Sequence, residues 1–235
     1  MTRVDTLARA RRLDDRPDTA YLVRFAGHDG AVHFEETWSQ LARDTAWAAD
    51  QLRGLGLVKG NRVLLTGSGF EGPWLRPLMD ALRSLGVTYG IAEAMGWDSN
   101  RTVVFARELD LHAVIGLPKP IVERLGDDDA LRAIFGRTAI VLARPDAVES
   151  LRSAGIAAGV LSFLGPTLAI ECAQKQGAHV NGGEWSVGTR DDGELWIEPV
   201  GERSGRLGRT LLGLRGRVAA EPCPCGSPDP RVTFA

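Results

Sequence analysis

Arg62-Val63-Leu64-Leu65-Thr66 is a short apolar run, and Gly67-Ser68-Gly69-Phe70 follows it as a glycine-rich turn. The run has the length and composition of a buried strand. Beyond the turn, apolar residues recur at helical spacing: Trp74, Leu75, Leu78, Met79 and Leu82. Because strand, turn and helix in this order form the unit from which parallel sheets are built, the stretch predicts a βα unit.

The same unit recurs along the chain. Before it, a helix is predicted to begin after an N-cap at Thr37 and to end at Gly54-Leu55-Gly56. After it, strands are predicted at 87–91, 112–115 and 139–142, with helices near 99–109, within 119–134 and near 146–153. We therefore expect an α/β protein with a mainly parallel, helix-covered sheet.

The sequence beyond Gly155 is richer in strand signals. Strands are predicted at 168–172, 179–180, 194–199 and 209–212, separated by Gly, Asn and Asp turns. The predicted organisation is a lead-in over residues 1–36 with one hairpin, an α/β subdomain over 37–158, and a small β-rich subdomain over 159–235 that a metal would staple.

Composition narrows the class of protein. The 235 residues are 44% hydrophobic and 25% charged, as in ordinary soluble domains. A formal net charge of -2 argues against a dedicated nucleic-acid partner. The first twelve residues lack the apolar core of a signal peptide, and no run reaches the roughly 18 apolar residues of a spanning helix, so we expect a cytoplasmic protein without a membrane partner. The scarcity of lysine beside abundant arginine suggests a GC-rich bacterial genome.

The three cysteines lie near one histidine, as Cys172-x6-His179 and Cys223-Pro224-Cys225. Three thiolates and one imidazole are the ligand set of a closed, tetrahedral structural zinc site. In a reducing cytoplasm the Cys-Pro-Cys turn favours metal over a disulfide. The alternative is three unrelated thiols, Cys172 in a buried strand and the other two in an exposed turn. A catalytic zinc is disfavoured because four protein ligands leave no position for water.

Two stretches of the chain carry a family resemblance. Residues 37–63 pair the predicted helix with Gly56-Leu57-Val58-Lys59-Gly60-Asn61-Arg62-Val63, and residues 159–231 contain Gly193-Glu194-Leu195 and Pro222-Cys223-Pro224-Cys225-Gly226. These segments resemble the N-terminal domain of phenylacetate-CoA ligases, within the adenylate-forming superfamily of acyl-CoA synthetases, adenylation domains and luciferases. Some members carry a zinc knuckle in the second region. The resemblance implies part of that fold, with a cleft for an acyl substrate between sheet ends.

The departures from the family pattern concern the nucleotide. No Thr/Ser/Gly-rich phosphate loop occurs, and the turn after Thr66 is too short and lacks lysine. Ala158 and Ser162 occupy the tyrosine and glutamate positions of the family's "YG-x-[ST]-E" motif, and Leu212-Gly213-Leu214 falls where its "TGD" aspartate binds ribose. The chain also ends at Ala235, where the family's C-terminal domain with its catalytic lysine begins. We therefore expect no ATP as cofactor.

The acyl side of the family's active site suggests the substrate-binding residues. Phe70 and Trp74 follow the first glycine-rich turn, Trp97 follows the next strand, and Gly165 and Pro166 lie in the segment 162–166. A glycine-rich turn after a parallel strand is a common place for a ligand. For Phe70 and Trp74 the alternative is plain core packing.

The candidate catalytic residues are Glu93, Ser162 and Glu171. A buried carboxyl with a raised pKa can serve as general acid or base. Ser162 as a nucleophile needs a nearby base, and the chain has no G-x-S-x-G elbow. Glu171 adjoins Cys172, and the alternative for it is a solvated strand residue.

The expected function is an ATP-independent enzyme acting on a small acyl, ester or amide-type metabolite in bacterial biosynthesis. The reaction would be hydrolysis, elimination, cyclisation or acyl transfer, because fold alone does not specify chemistry. The alternative is a non-catalytic protein that binds a small carboxylate or a partner and carries structural zinc. A split ligase completed by another chain is disfavoured because Leu214 cannot bind ribose. The resemblance also leaves a homodimer open.

Overall fold

Two antiparallel strands form a hairpin near the N-terminus. The computed structural model describes Val4, Ala8, 18–201, Arg203, 207–219 and 221–235. Strand β1 (Thr19–Gly27) pairs with β2 (Gly30–Thr37), with His28 and Asp29 in the turn between them. The hairpin predicted for the lead-in is therefore present, while most of residues 1–17 lie outside the described residues.

Five parallel strands and six helices follow the hairpin. In chain order the elements are α1 (Trp38–Gly54), β3 (Arg62–Thr66), α2 (Gly72–Ser84), β4 (Thr88–Ala92), α3 (Ser99–Glu108), β5 (Ala113–Leu117), α4 (Lys119–Leu125), α5 (Asp128–Phe135), β6 (Ile140–Ala143), α6 (Pro145–Ser153) and β7 (Ala158–Leu164). Short 3-10 turns precede α2 and α3. The parallel strands lie in the order β4-β3-β5-β6-β7. The α/β class predicted from sequence is confirmed.

The β-rich segment continues the same sheet. Its strands are β8 (Thr167–Glu171), β9 (Ala178–Val180), β10 (Trp185–Thr189), β11 (Glu194–Pro199), β12 (Thr210–Ala219) and β13 (Arg231–Phe234). Strand β8 pairs antiparallel with β7, and the order continues β9-β13-β12-β11-β10 to complete eleven strands. Strand β7 therefore joins a parallel, helix-covered half to an antiparallel half.

The helices cover both faces of the parallel strands. On one face, α1 and α2 pack Leu52, Leu78 and Leu82 against Val63 and Leu65 of β3. On the other face, the side chains of α4, α5 and α6 pack against the alternate strand residues. Strand alternation explains why neighbouring residues of one buried strand enter different cores. Within the described residues no helix combines the length and apolar character needed to cross a membrane.

Helix α1 begins as the sequence predicts but buries a charged side chain. Thr37 is its N-cap, and Gln40 completes a capping box with it. Trp38, the first residue of the helix, is mostly exposed, whereas Asp44 is buried. The reason is an ion pair, because the Asp44 carboxylate accepts from Arg203 at 2.8 and 3.0 Å. Periodicity could not reveal this partner, which lies 159 residues away along the chain.

The strand order reverses between β3 and β5, which is where ligands usually bind in open α/β sheets. The carboxyl end of β5 approaches β3 closely at Gly116. This glycine has φ +93°, and a Cβ there would lie 2.6 Å from the Thr66 carbonyl oxygen. A side chain at this position would therefore be strained and would also push the two strands apart.

We expect Gly116→Ala to lower the free energy of unfolding by about 2–4 kcal/mol, combining left-handed strain with overpacking. Gly54→Ala is the matched control, because Gly54 ends α1 with open space around it and no positive φ. The control should be neutral or stabilising by up to about 1 kcal/mol. Urea denaturation of both variants measures the difference; equal stabilities would contradict the close approach.

Candidate functional site

The three cysteines and His179 converge at one end of the antiparallel half. Cys172 follows β8, His179 lies in β9, and Cys223 and Cys225 lie in the loop between β12 and β13. Their ligand atoms all lie within 4.8 Å of one another. Sγ of Cys172 lies 3.7 Å from Sγ of Cys223, and Sγ of Cys225 lies 3.5 Å from Nε2 of His179. The thiols are free rather than disulfide-bonded, and the cluster could hold a metal ion.

The protonation of this cluster suits metal binding. Burial lowers the pKa of His179, which keeps the imidazole in the neutral form that ligates metals. Burial raises the pKa of Cys172 to about 11, so without a cation this thiol stays protonated. A bound cation would compensate the thiolate charges.

Asp229 anchors the loop of the cluster to helix α1. Its carboxylate accepts from the indole Nε1 of Trp47 at 2.8 Å and from the backbone N–H of Gly182 at 3.0 Å. The loop that carries Cys223 and Cys225 is thus tied both to the sheet and to the helical layer.

Two clefts lie around the end of β7. The first, of about 750 Å³, brings together Phe70, Trp74 and Gly165, three of the predicted substrate-binding residues. The second, of about 860 Å³, brings together Ser162 and Glu171, two of the predicted catalytic residues. Phe163 and Leu214 line both clefts.

Two aromatic rings and one guanidinium stack beside the clefts, and the central ring, that of Phe163, lines both clefts. The Trp74 ring stacks on Phe163 with centroids 5.2 Å apart, and the guanidinium of Arg144 lies 3.4 Å from the Phe163 centroid. The Trp74 indole N–H donates to the Gly165 carbonyl at 3.0 Å. Trp74 therefore both packs in the core and lines the cleft, while Phe70 is 72% exposed at the cleft rim.

Three backbone N–H groups of the glycine-rich turn after β3 already donate hydrogen bonds to other groups of the protein. The Ser68 N–H donates to the Glu71 carboxylate at 2.8 Å, the Gly67 N–H to the Ala92 carbonyl at 3.0 Å, and the Glu71 N–H to the Ser68 carbonyl at 2.8 Å. The carboxylate of Glu71 also lines the smaller cleft. Three N–H groups of this turn are therefore already bonded, and the turn carries a carboxylate.

Glu171 is a fully hydrogen-bonded carboxylate. It accepts from the Val160 N–H at 2.9 Å, the Gly177 N–H at 3.2 Å and Arg152 at 3.2 Å. These bonds connect β7, the turn after β8 and α6. Ser162 lies on the same cleft wall, one residue before Phe163.

The remaining predicted residues lie elsewhere. Glu93 and Trp97 follow β4, the edge strand, about 19 Å from β7 at the usual strand spacing. Trp97 is 72% exposed there. Pro166 lines a separate cavity of about 10 Å³ beside Glu36, which has room for no more than a water molecule.

Sequence reasoning missed a buried charge cluster below the hairpin. Glu36 and Asp44 share a hydrogen bond, and Arg203 pairs with Asp44 and with Glu184 at 2.8 Å each. Burial and the neighbouring Asp44 raise the pKa of Glu36 to about 8. It missed Arg144 and Phe163 as well; the available signal was an arginine directly after the buried strand β6.

The fold is known from other solved structures. The chain has the fold of part of the N-terminal domain of adenylate-forming CoA ligases, as the sequence resemblance implied. No known family model matches the sequence, and no curated protein matches it.

Three solved structures illustrate the similarity. An open conformation of 2-hydroxyisobutyryl-CoA ligase with 2-HIB-AMP and CoA is 14% identical at a TM-score of 0.70, over 92% of this chain and 52% of that one. ATP-bound MatB from Rhodopseudomonas palustris is 12% identical at 0.58, over 92% and 48%. The anthranilate CoA ligase AuaEII with anthranoyl-AMP is 13% identical at 0.58, over 93% and 48%. The chain thus spans about half the length of these ligases, and the similarity concerns the fold.

We expect the stability of the protein to fall between pH 5 and 8.5 because of Glu36. Its folded pKa of about 8 exceeds the ordinary 4.5, so the folded state binds more protons in this window. This contribution is complete below pH 4.5 and is lost as pH rises through 8. Glu36→Gln keeps the shape without the charge and should gain about 2–4 kcal/mol relative to wild type across the window. Urea denaturation at several pH values measures the difference; parallel curves would refute it.

Proposed function

We propose that this protein acts without ATP on a small acyl-type metabolite, an acid, ester or amide. The observation that carries the proposal is the meeting of two clefts at Phe163. The aromatic cleft of Phe70, Trp74 and Gly165 suits the apolar part of such a ligand, and the second cleft presents Ser162 to its reactive group. Orientation of the substrate across the shared wall would supply much of the rate.

Three features support action without ATP. Phosphates need free backbone N–H groups, but the Gly67 N–H is bonded to Ala92 of β4, and those of Ser68 and Glu71 are bonded within the turn. Glu71 adds a negative charge that repels phosphate. Leu214, at the position of the family's ribose-binding aspartate, offers the shared wall an apolar side chain.

A second candidate function is non-catalytic binding of the same ligand or of a partner protein. The three hydrogen bonds to Glu171 favour it, because donors of the protein already occupy the carboxylate oxygens that would have to reach a reacting group. Catalysis would then depend on Ser162 alone. Under either function we place the protein in the cytoplasm of a bacterium, within a biosynthetic pathway.

The metal that best fits the Cys3His cluster is zinc in a structural role. Zinc lies about 2.3 Å from sulfur and 2.0–2.1 Å from nitrogen, so tetrahedral edges measure about 3.8 Å between sulfurs and about 3.5 Å between sulfur and nitrogen. The distances of 3.7 Å between Cys172 and Cys223 and of 3.5 Å between Cys225 and His179 match these edges. Four protein ligands close the coordination sphere, and the ion would fix the loop on the sheet.

Calorimetric titration tests the ligand class. We expect benzoate, phenylacetate, hexanoate or their methyl esters and amides to bind with a stoichiometry of one, and ATP–Mg to give no saturable heat. Trp74→Ala should weaken acyl binding at least about tenfold by removing one face of the cleft. Trp97→Ala, in the turn after the distant edge strand β4, is the control and should bind as wild type. Saturable ATP binding, or pyrophosphate release that depends on an acid, would defeat the proposal.

Metal analysis tests the zinc assignment. We expect one zinc per chain by mass spectrometry of the purified protein, and Cys223→Ser should lose it. The variant should unfold about 6–12 °C lower, corresponding to roughly 3 kcal/mol for a chain of this size. His112→Gln, outside the cluster, should keep both zinc and stability. A metal-free wild type with the same melting temperature as the zinc-loaded protein would contradict a structural ion.

A further inference from the structure

Three arginines are buried among the described residues, and their partners differ. Arg203 makes close ion pairs with Asp44 and Glu184, each at 2.8 Å. Arg231, beside the cysteine cluster, donates to oxygens of Gln176 and Glu221 at 2.9–3.2 Å. Arg144 makes only long contacts. Its Nη2 lies 3.4 Å from both oxygens of Glu71, and its Nε lies 3.3 Å from the Gly116 carbonyl.

The poor pairing of Arg144 has a geometric cause. Charge-assisted hydrogen bonds between arginine and carboxylate normally measure about 2.7–2.9 Å and are often bidentate. Glu71 cannot reach this geometry because the Ser68 N–H holds its Oε2 at 2.8 Å within the turn. Within the described part of the chain, Nη1 of Arg144 makes no hydrogen bond. Glu71 thus neutralises the cation while leaving donors of the guanidinium unused.

The position of Arg144 connects it to the ligand cleft. The two side chains that touch its guanidinium, Glu71 and Phe163, both line the aromatic cleft, and Phe163 also lines the second one. Arg144 follows β6 and reaches across the end of β5 towards the turn after β3. It therefore stands at the strand-order reversal, where ligands of open α/β sheets bind. Its side chain is only 10% exposed, so water competes weakly for its donors.

We propose that Arg144 binds the carboxylate of the acyl ligand, and that the Glu71 carboxylate pairs with Arg144 when no ligand is bound. The ligand carboxylate would take the place of the Glu71 carboxylate beside the guanidinium, while the ligand's apolar part lies in the aromatic cleft. The preferred ligand is thus an anionic acid rather than a neutral ester or amide. This inference rests on the proposed acyl cleft and specifies its ligand.

Paired titrations of carboxylates and their amides test the inference. Benzoate, phenylacetate and hexanoate are titrated calorimetrically into the intact protein, followed by benzamide, phenylacetamide and hexanamide. Wild type should bind each acid at least tenfold more tightly than its amide. Arg144→Met should lose at least tenfold in acid affinity while amide affinity changes less than twofold, and Arg144→Lys should lose part of the preference because a point charge replaces the fork.

Glu71→Gln distinguishes recognition from a purely structural ion pair. The glutamine keeps an acceptor for Ser68 but removes the competing anion, so acid affinity should rise about threefold to tenfold. Arg209→Met, which removes an exposed arginine stacked on Trp196, is the control and should leave the preference unchanged. Amide binding also reports that each variant is folded.

The outcomes separate this inference from the proposed function. If amides bind and acids show no preference that depends on Arg144, the acyl cleft stands and the role of Arg144 is wrong. If wild type binds neither acids nor amides, both ideas fall. If Glu71→Gln leaves acid affinity unchanged while Arg144→Met still abolishes it, Arg144 is retained and the placeholder role of Glu71 is wrong.

Discussion

The pairing of β7 on both of its edges is the constraint on which the rest of the structure depends. On one edge β7 extends the parallel strands, and on the other it begins the antiparallel half. The Glu171 carboxylate reinforces this junction by accepting from Val160 of β7 and from Gly177 beyond β8. Because both clefts lie at the end of β7, any ligand bound there contacts elements of both halves. A rigid junction therefore sets the geometry of the candidate site.

Local patterns in the sequence predicted the elements of the parallel half well. Strand β3 has the predicted bounds, Thr37 caps α1 as its side chain suggests, and the α/β class follows from the repeated βα unit. These predictions succeed because periodicity and capping depend on neighbours along the chain. The cysteine cluster was also found from ligand chemistry, although its members come from two separate segments. Zinc itself remains a proposal.

Charged residues in the core show where local reasoning ends. Asp44 and Arg203 are buried because they neutralise each other across 159 residues, and no periodicity encodes that distance. The sequence did not single out Arg144 because arginine is abundant in this chain. Its contact with Phe163 is visible only in the structure. The spread of the predicted catalytic residues has the same cause. Glu93 follows β4 and Glu171 is the last residue of β8, and the strand order places them on distant parts of the sheet.

The chemistry of the turn after β3 links the fold to the proposed function. In this turn Glu71 supplies the anion that satisfies the Ser68 N–H and faces Arg144. The Glu71 carboxylate thus accepts a hydrogen bond from the Ser68 backbone and also pairs with Arg144, the cation at the strand-order reversal. A nucleotide phosphate would have to displace the Glu71 carboxylate from both contacts. A small carboxylate needs only the contact with Arg144, which is the weaker of the two. The same residue that closes this site to phosphate therefore leaves it open to an acid.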